Sequence, residues 1–523
     1  MLVLRIDRSS REPVYRQVVR QIIELVEGEA VREGEILPPT RELAAALAVS
    51  RFTVNQAYRE LWVKGYVDAR PGSYTRVRRR PRLARSEGGA ERGDGAERRV
   101  AAGDGASGAA AGALGAAAAR EGPRYAKRAL RAIGADALFP SISGLGAENG
   151  RSPGLIDFTA LSLDERLFPV DRMRAAYAGV LTGGGASLLN YAESAGYGPL
   201  REYIAARMRA HCVDARAAEI VVTHGSLQAL DLAAKLFVDP GDEVVVEEPT
   251  FPNAIPLFRL CGARLAALPM GAEGSDLDAL EAIVDRGARG GRPPSLLYSI
   301  PTFHNPTGAT TSQPHRERLL ALCERGGFPL VEDSFQEEIT YFGKAVLPIK
   351  SMDPRGKVLY LGSFSKVLFP GIRLGWIVAR ADIAERLAAL KRVTDISCSP
   401  FAQAALLRFC ESGAYDSHLR RLNRVFAARM RRAVDAFRRR LPPDKASFAT
   451  PTGGYLIWIA LKCARGEAEI QAALRARGVA AAPGSLFFVD PPAARYLRVS
   501  ISALDEEEIE EGAARLGAAI EGL

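Results

Sequence analysis

Residues 357–376 read Lys-Val-Leu-Tyr-Leu-Gly-Ser-Phe-Ser-Lys-Val-Leu-Phe-Pro-Gly-Ile-Arg-Leu-Gly-Trp, and this stretch sets how the remainder of the chain is read. It opens on an apolar run, Val358 to Leu361, halts at Gly362, places Lys366 just beyond Ser363 and Ser365, and brings in Arg373 seven residues later. A short apolar run bounded by glycine predicts a fully buried strand. Comparable runs recur at Glu219–Val222, Glu243–Val246, Ser295–Ser299, Pro329–Val331 and Gly375–Val378, with helix-length stretches between them. Buried strands separated by helices predict an α/β fold whose mostly parallel sheet is covered on both faces. Ligands of such sheets bind beyond the C-terminal ends of the strands, where the polar motifs of this chain fall.

A lysine on a turn flanked by small hydroxyl residues can form an imine with an aldehyde cofactor, while serines and an arginine can hold a phosphate dianion. That combination points to pyridoxal 5'-phosphate (PLP). Asp333 follows the strand PLVE, where a carboxylate can pair with a protonated pyridine nitrogen and keep the ring an electron sink. Asn305, in HNPTG, offers an amide donor to the ring's phenolic oxygen. Gly225-Ser226-Leu227 opens a predicted helix whose first N–H groups suit phosphate, and Phe251, in EEPTFP, offers a face for the ring. Each motif alone is weak; their order along the chain makes them specific.

On these motifs the chain resembles the class I aminotransferases of fold type I, from about residue 155 to 515. The resemblance implies a PLP-dependent transferase fold with a small C-terminal α+β subdomain and Lys366 as the Schiff-base lysine. It further implies Asp333 at the pyridine nitrogen, Asn305 at the phenolic oxygen, Phe251 stacked on the ring, and Ser226, the Leu227 backbone, Ser363, Ser365 and Arg373 around the phosphate. Tyr191, in NYAESAGYGPLR, matches a tyrosine that reaches the phosphate of a partner subunit, which implies a homodimer. Arg498, in YLRVSIS, matches an arginine that grips a substrate carboxylate. One departure stands out. The family usually carries a tyrosine two or three residues after the aspartate, donating to the phenolic oxygen, and this chain has Phe335 and Gln336. A phenyl ring cannot donate, so slow or absent transamination is expected.

Working outward, the 523 residues carry a net charge of +9, and its location is informative. Residues 1–80 hold 15 Lys and Arg against 10 Asp and Glu, residues 81–131 hold 10 against 6, and the remainder holds 45 of each sign. A neutral body with a basic front end implies that the front meets a polyanion. Between Ser86 and Arg120, 22 of 35 residues are Gly or Ala, too little apolar surface to offset ordering, so 81–150 reads as a flexible linker between domains 1–80 and 151–523.

In the first domain, Val14, Val18, Ile22 and Leu25 mark an amphipathic helix, and Leu43, Ala44 and Leu47 mark the inner face of a second. Ser50 is placed to N-cap a third helix that buries Val54, Ala57, Tyr58 and Leu61. Phe52, Gln56 and Arg59 point away from that stripe, with Thr53 and Asn55 on its flanks. Tyr66–Arg70 and Tyr74–Val77 then read as a hairpin turning at Pro71-Gly72-Ser73, giving a winged helix-turn-helix whose third helix enters the major groove. The segments Tyr15-Arg16-Gln17, Leu37 to Ala44, Val49 to Val54, Ala57 to Leu61 and Gly65-Tyr66 resemble the winged helix of the GntR transcription regulators. The resemblance implies phosphate or base contacts from Arg41 and Arg51, a phosphate contact from Thr53, and Gly72 at the wing tip.

A winged helix joined by a long linker to an aminotransferase-like body resembles the MocR subgroup of GntR regulators. It implies a homodimer that binds double-stranded promoter DNA and senses PLP, or an amino compound forming an aldimine with it. A working aminotransferase with an accessory DNA-binding domain is the competing expectation. No uncharged run of 18 large apolar residues occurs, and the six cysteines (Cys212, Cys261, Cys323, Cys398, Cys410, Cys463) show no paired spacing. No membrane segment, disulfide framework or metal site is therefore expected, and the location expected is the cytoplasm, nucleoid-associated when DNA is bound.

Overall fold

Apolar periodicity becomes burial wherever it is regular along the chain. The computed structural model describes residues 4–77 and 154–523, apart from positions 5, 8, 9, 11, 29, 64, 65, 69–74, 184, 343–345 and 491, together with Ala126, Lys127 and Leu130. Two compact units result, Met1–Asp104 and Gly105–Leu523.

The first unit contains α1 (Val14–Glu27), α2 (Thr40–Ala46), α3 (Arg51–Val63) and the antiparallel pair β1 (Val67–Asp68) and β2 (Arg76–Val77). Its core holds the expected stripe of α3, with Val54, Ala57 and Leu61 fully buried against Val18 and Ile22 of α1. The stripe of α1 runs over Val18, Val19, Ile22 and Val26, leaving Leu25 only half-buried. Tyr58 closes the core with a polar tie, its hydroxyl donating to the Pro38 carbonyl at 2.7 Å. Ser50 caps α3 as expected, accepting the Thr53 N–H on its Oγ at 3.1 Å. The expected turn at Pro71-Gly72-Ser73 and most of the 81–150 linker lie outside the described residues. Where the linker was expected to be flexible, Lys127 and Leu130 are helical and exposed, with the Leu130 N–H bonded to the Ala126 carbonyl at 3.2 Å.

The second unit begins with β3 (Ile156–Asp157) and is built on an eight-stranded sheet: β4 (Ile220–Thr223), β5 (Glu243–Glu248), β6 (Arg264–Gly271), β7 (Gly274–Ser275), β8 (Leu296–Ser299), β9 (Leu330–Asp333), β10 (Val358–Ser363) and β11 (Gly375–Val378). Their order across the sheet is β4-β11-β10-β9-β8-β5-β6-β7, with only β11 and the edge strand β7 running against the rest. Every residue of β4, β8, β9, β10 and β11 is buried, which is why these strands read as short, mostly apolar runs, with Glu332 and Asp333 the buried charged exceptions at the end of β9. Two strands of this sheet are absent from the sequence reading: the two-residue edge strand β7, and β6, which has an exposed arginine at its start, Pro269 near its end and a single fully buried residue, features of a strand near the rim.

A second, antiparallel sheet follows, formed from β12 (Ala446–Phe448), β13 (Leu456–Leu461), β15 (Ala482–Pro483) and β16 (Arg495–Ser500), in the order β12-β13-β16-β15. The intervening β14 (Val479–Ala480) pairs in parallel with β3. This is the expected small C-terminal α+β region. Within the main sheet, Gly362 and Trp376 are cross-strand partners, and a Cβ on Gly362 would lie 2.2 Å from the indole ring. Gly362→Ala is expected to overpack this contact at a cost of about 1–3 kcal/mol, read as a lowered midpoint in thermal unfolding.

Candidate functional site

The register of the sheet gathers the predicted residues. Thr223 at the end of β4 pairs with Gly375 of β11, and Gly375 pairs with Ser363 at the end of β10. Asp333 ends β9, opposite Leu361 of β10. Asn305 and Phe251 follow β8 and β5 by a few residues. Five strand C-termini therefore meet along one edge of the sheet, with Lys366 in the loop beyond β10.

The phosphate side is assembled from three pieces. Helix Ser226–Phe237 begins at Gly225, whose φ of 87° only glycine adopts readily, and has no side-chain cap on its first turn. Arg373 sits in the left-handed region at φ 50° and donates from Nη2 to the His224 carbonyl at 2.7 Å, locking its guanidinium against that turn. Ser363 Oγ accepts the Ser365 N–H at 3.2 Å, while the Ser365 hydroxyl is buried without a partner.

Lys366 lies half-buried, its Nζ donating to the Leu161 carbonyl at 3.3 Å. Burial pushes its ammonium down to about 8; the cations of Arg498 and Arg373 lower it further, and Asp333 opposes them. Asp333 is buried and accepts the Tyr298 hydroxyl on Oδ2 at 2.7 Å, leaving Oδ1 unpartnered. Burial raises that carboxyl to about 6, against the Tyr298 hydroxyl, the Phe335 backbone N–H and Lys366. Arg498 is fully buried; its Nη2 donates to the Thr159 carbonyl, and Nε and Nη1 have no partner. Burial lowers this guanidinium to about 10.

Asn305 is also buried with an unpartnered Oδ1, and Phe251 is half-buried against the core. Unpaired buried polar atoms are rare in folded proteins, and here a carboxylate, an amide, a hydroxyl and a guanidinium share the condition around one lysine. An acidic ring nitrogen for Asp333, a phosphate for Ser365 and Arg373, and a carboxylate for Arg498 would satisfy the carboxylate, the hydroxyl and the guanidinium of the set. The residues fit PLP.

Tyr191 does not join this group; it is 81% exposed. Leu227, in the first turn of its helix, is also exposed. Tyr298 escaped sequence reasoning, although a tyrosine inside the otherwise apolar run Leu-Leu-Tyr-Ser required a buried polar partner and was its signal. Gln336 is buried and its Nε2 donates to the Phe303 carbonyl, so this amide is already committed to the backbone.

In the first unit, Arg41 on α2 and Arg51 and Gln56 on α3 are exposed, and Thr53 is half-buried. Phe52, Asn55 and Arg59 occupy α3 by position, and Gly72 lies outside the described residues.

Comparison with known proteins agrees with both units. Residues 160–516 match the family described as Aminotransferase class I and II, and residues 14–77 match Bacterial regulatory proteins, gntR family. The chain is 37% identical, over 71% of its length and 91% of the relative's, to a 2-aminoadipate transaminase of Thermus thermophilus. It is 30% identical, over 94% of its length and 93% of the relative's, to the HTH-type transcriptional regulator TauR of Rhodobacter capsulatus. Among solved structures it resembles LysN, the alpha-aminoadipate aminotransferase of Thermus thermophilus, complexed with N-(5'-phosphopyridoxyl)-L-leucine. The TM-score is 0.66 and the identity 34%, over 72% of this chain and 96% of that one.

Competitive labelling with an amine reagent should show Lys366 gaining reactivity as pH rises through about 8, where its ammonium releases its proton, well before ordinary lysines near 10.4. Peptide mass spectrometry across pH 6–11 reads this; a midpoint for Lys366 coinciding with the bulk lysines would contradict the buried, cation-flanked setting.

Proposed function

Because the chain belongs to the class I and II aminotransferases through its body and carries a GntR-family domain at its N-terminus, we propose that it is a PLP-dependent transcription regulator of the MocR kind. In this reading the first unit binds double-stranded promoter DNA and the second senses PLP or an amino compound. The observation that carries it is the set of unpaired buried groups around Lys366, in the same chain as a winged helix with exposed arginines.

Bound PLP supplies an electrophilic aldehyde on an electron-withdrawing ring, which lets the site capture a primary amine. The chain's own residues do the rest. Lys366, partly neutral at physiological pH because of its lowered proton affinity, is the amine that holds the cofactor. Asp333 keeps a proton on the pyridine nitrogen, steadied by Tyr298, and Asn305 is the amide donor for the phenolic oxygen. Ser363, Ser365, Arg373, Ser226 and the Leu227 backbone hold the phosphate, and Phe251 covers the ring. Arg498 presents unused buried nitrogens to an effector carboxylate. The exposed Tyr191 is available to a second copy, which supports a homodimer. A dimer presents two winged helices to two half-sites, and an effector switches it only by binding one dimer state better than another. Such a protein works in the cytoplasm, nucleoid-associated when bound to DNA.

Turnover is where this reading parts from that of a dedicated aminotransferase. Phe335 has no proton to donate, and Gln336 has one of its two amide N–H groups bonded to the Phe303 carbonyl, so the family's tyrosine hydroxyl has no equivalent here. Purified protein given an amino donor and 2-oxoglutarate is expected to change its absorbance without sustained turnover. Steady transamination at enzyme-like rates would overturn the sensor assignment.

Two variants separate the parts. Arg51→Ala should weaken promoter binding by about 5- to 150-fold, the range of about 1–3 kcal/mol for a base contact, in a fluorescence anisotropy titration. Lys366→Ala should leave DNA binding in place and abolish its response to amines. Unchanged responsiveness in that variant would rule out a switch through position 366.

A further inference from the structure

Helix Ala414–Arg440 carries nine arginines and two aspartates inside a body whose sequence is electrically neutral. Its apolar face, including Leu419, Leu422, Phe426, Met430, Ala433 and Phe437, is buried in the core. Apart from Arg421, which is exposed about 100° around the helix from Arg420, the arginines divide into two groups of four. Arg432, Arg439 and Arg440 converge on Glu510 at 3.1, 2.8 and 3.8 Å, and Arg429 is buried against Asp164 at 2.6 Å.

Arg420, Arg424, Arg431 and Arg438 are different. At 100° per residue they fall within about 40° of one another, a straight row about 27 Å long at 1.5 Å rise. All four are exposed, and among the described residues none has a carboxylate within ion-pair distance. Arg431 lies over the Phe342 ring at 5.5 Å, and Arg438 donates to the Thr450 hydroxyl at 2.9 Å, contacts that hold the side chains without neutralising them. Elsewhere on this unit arginine rows are paired: Arg318 and Arg325 share Glu281 at 3.0 and 2.9 Å. Of the helix's own two acids, Asp416 is taken by Arg207 at 3.2 Å and Asp435 stands beside the row, which keeps a clear positive excess.

We propose that this row is a second contact for duplex DNA, made by the body of the protein in addition to the winged helix. It rests on the reading of the first unit as DNA-binding. Its length matches about eight base pairs of phosphate backbone, and guanidinium groups suit phosphate oxygens. A membrane surface is the poorer partner, because a surface-lying helix needs a free apolar face and this one has spent its own on the core. Once the winged helix holds DNA, the tethered body meets it at a high effective concentration, so four modest charge contacts add without needing affinity of their own.

The test uses the full-length PLP-loaded chain and a fluorescein-labelled random-sequence duplex of about 60 base pairs, with anisotropy followed over a salt series. Arg420→Gln, Arg424→Gln, Arg431→Gln and Arg438→Gln combined should make the slope of log K against log salt shallower by up to about 3.6, at about 0.9 per phosphate lost. The cofactor absorbance and thermal midpoint of the variant should remain those of the parent. An unchanged slope in the quadruple variant, while the parent binds the duplex with a clear salt dependence, overturns the body contact alone; absence of DNA binding by the parent overturns the winged-helix reading as well. Binding of the parent, but not the quadruple variant, to phosphatidylserine vesicles with no change in the DNA slope would reassign the row to a lipid surface.

Discussion

The organising constraint is the burial of polar groups that the fold alone leaves unpaired. Burying an ionised group is costly unless something nearby satisfies it, and a chain that keeps both Arg498 with two unpartnered nitrogens and a half-satisfied Asp333 within electrostatic reach of Lys366 is arranged for a guest. The apolar strands make this arrangement possible. Because β4, β8, β9, β10 and β11 are buried along their whole length, their ends are fixed in register, and the polar residues after them are delivered to one place. The low proton affinity of Lys366 and the high one of Asp333 share this origin, since desolvation is the largest influence on each.

Much of this was legible in the sequence, for a physical reason. Fully buried strands are apolar over most of their length, with polar residues gathered at their C-terminal ends, so their limits could be read to within about two residues, and the motif residues beyond them inherited a location. The α3 stripe of Val54, Ala57, Tyr58 and Leu61 was equally plain because a short helix on a small core has only one face to bury. Strand β6 was not legible: a half-buried strand near the rim keeps no strict pattern, and Pro269 argued against it. Nor was the Tyr298–Asp333 bond, since tyrosine is also an ordinary strand former, and only the three-dimensional pairing of β8 with β9 brings the two together.

Charge shows the same contrast between chain and fold. Counted along the sequence, the body is balanced, which located the polyanion partner at the front of the chain. Folding redistributes the balance: Glu510 gathers three arginines from helix Ala414–Arg440, and the acids of other helices are taken by their own neighbours. A net charge of zero over a domain is therefore compatible with a strongly positive row on one helix face, and such local rows, more than the total, set the field that a phosphate backbone meets.

Position 336, one of the two where the family's tyrosine is usual, carries a glutamine that is bonded to the backbone. Gln336 ties its Nε2 to the carbonyl of Phe303, two residues before Asn305, while its Oε1, buried without a hydrogen-bond partner, faces Gly454 just before β13. Phe303 is held in the left-handed region at φ 50°, a conformation that bulky side chains adopt only when their surroundings impose it. Tyr341 reinforces the connection from the other side by donating to the Gly454 carbonyl. The loop that carries Asn305 and the approach to the C-terminal sheet that carries Arg498 are thus both tied to the segment 336–341, one by Gln336 and the other by Tyr341.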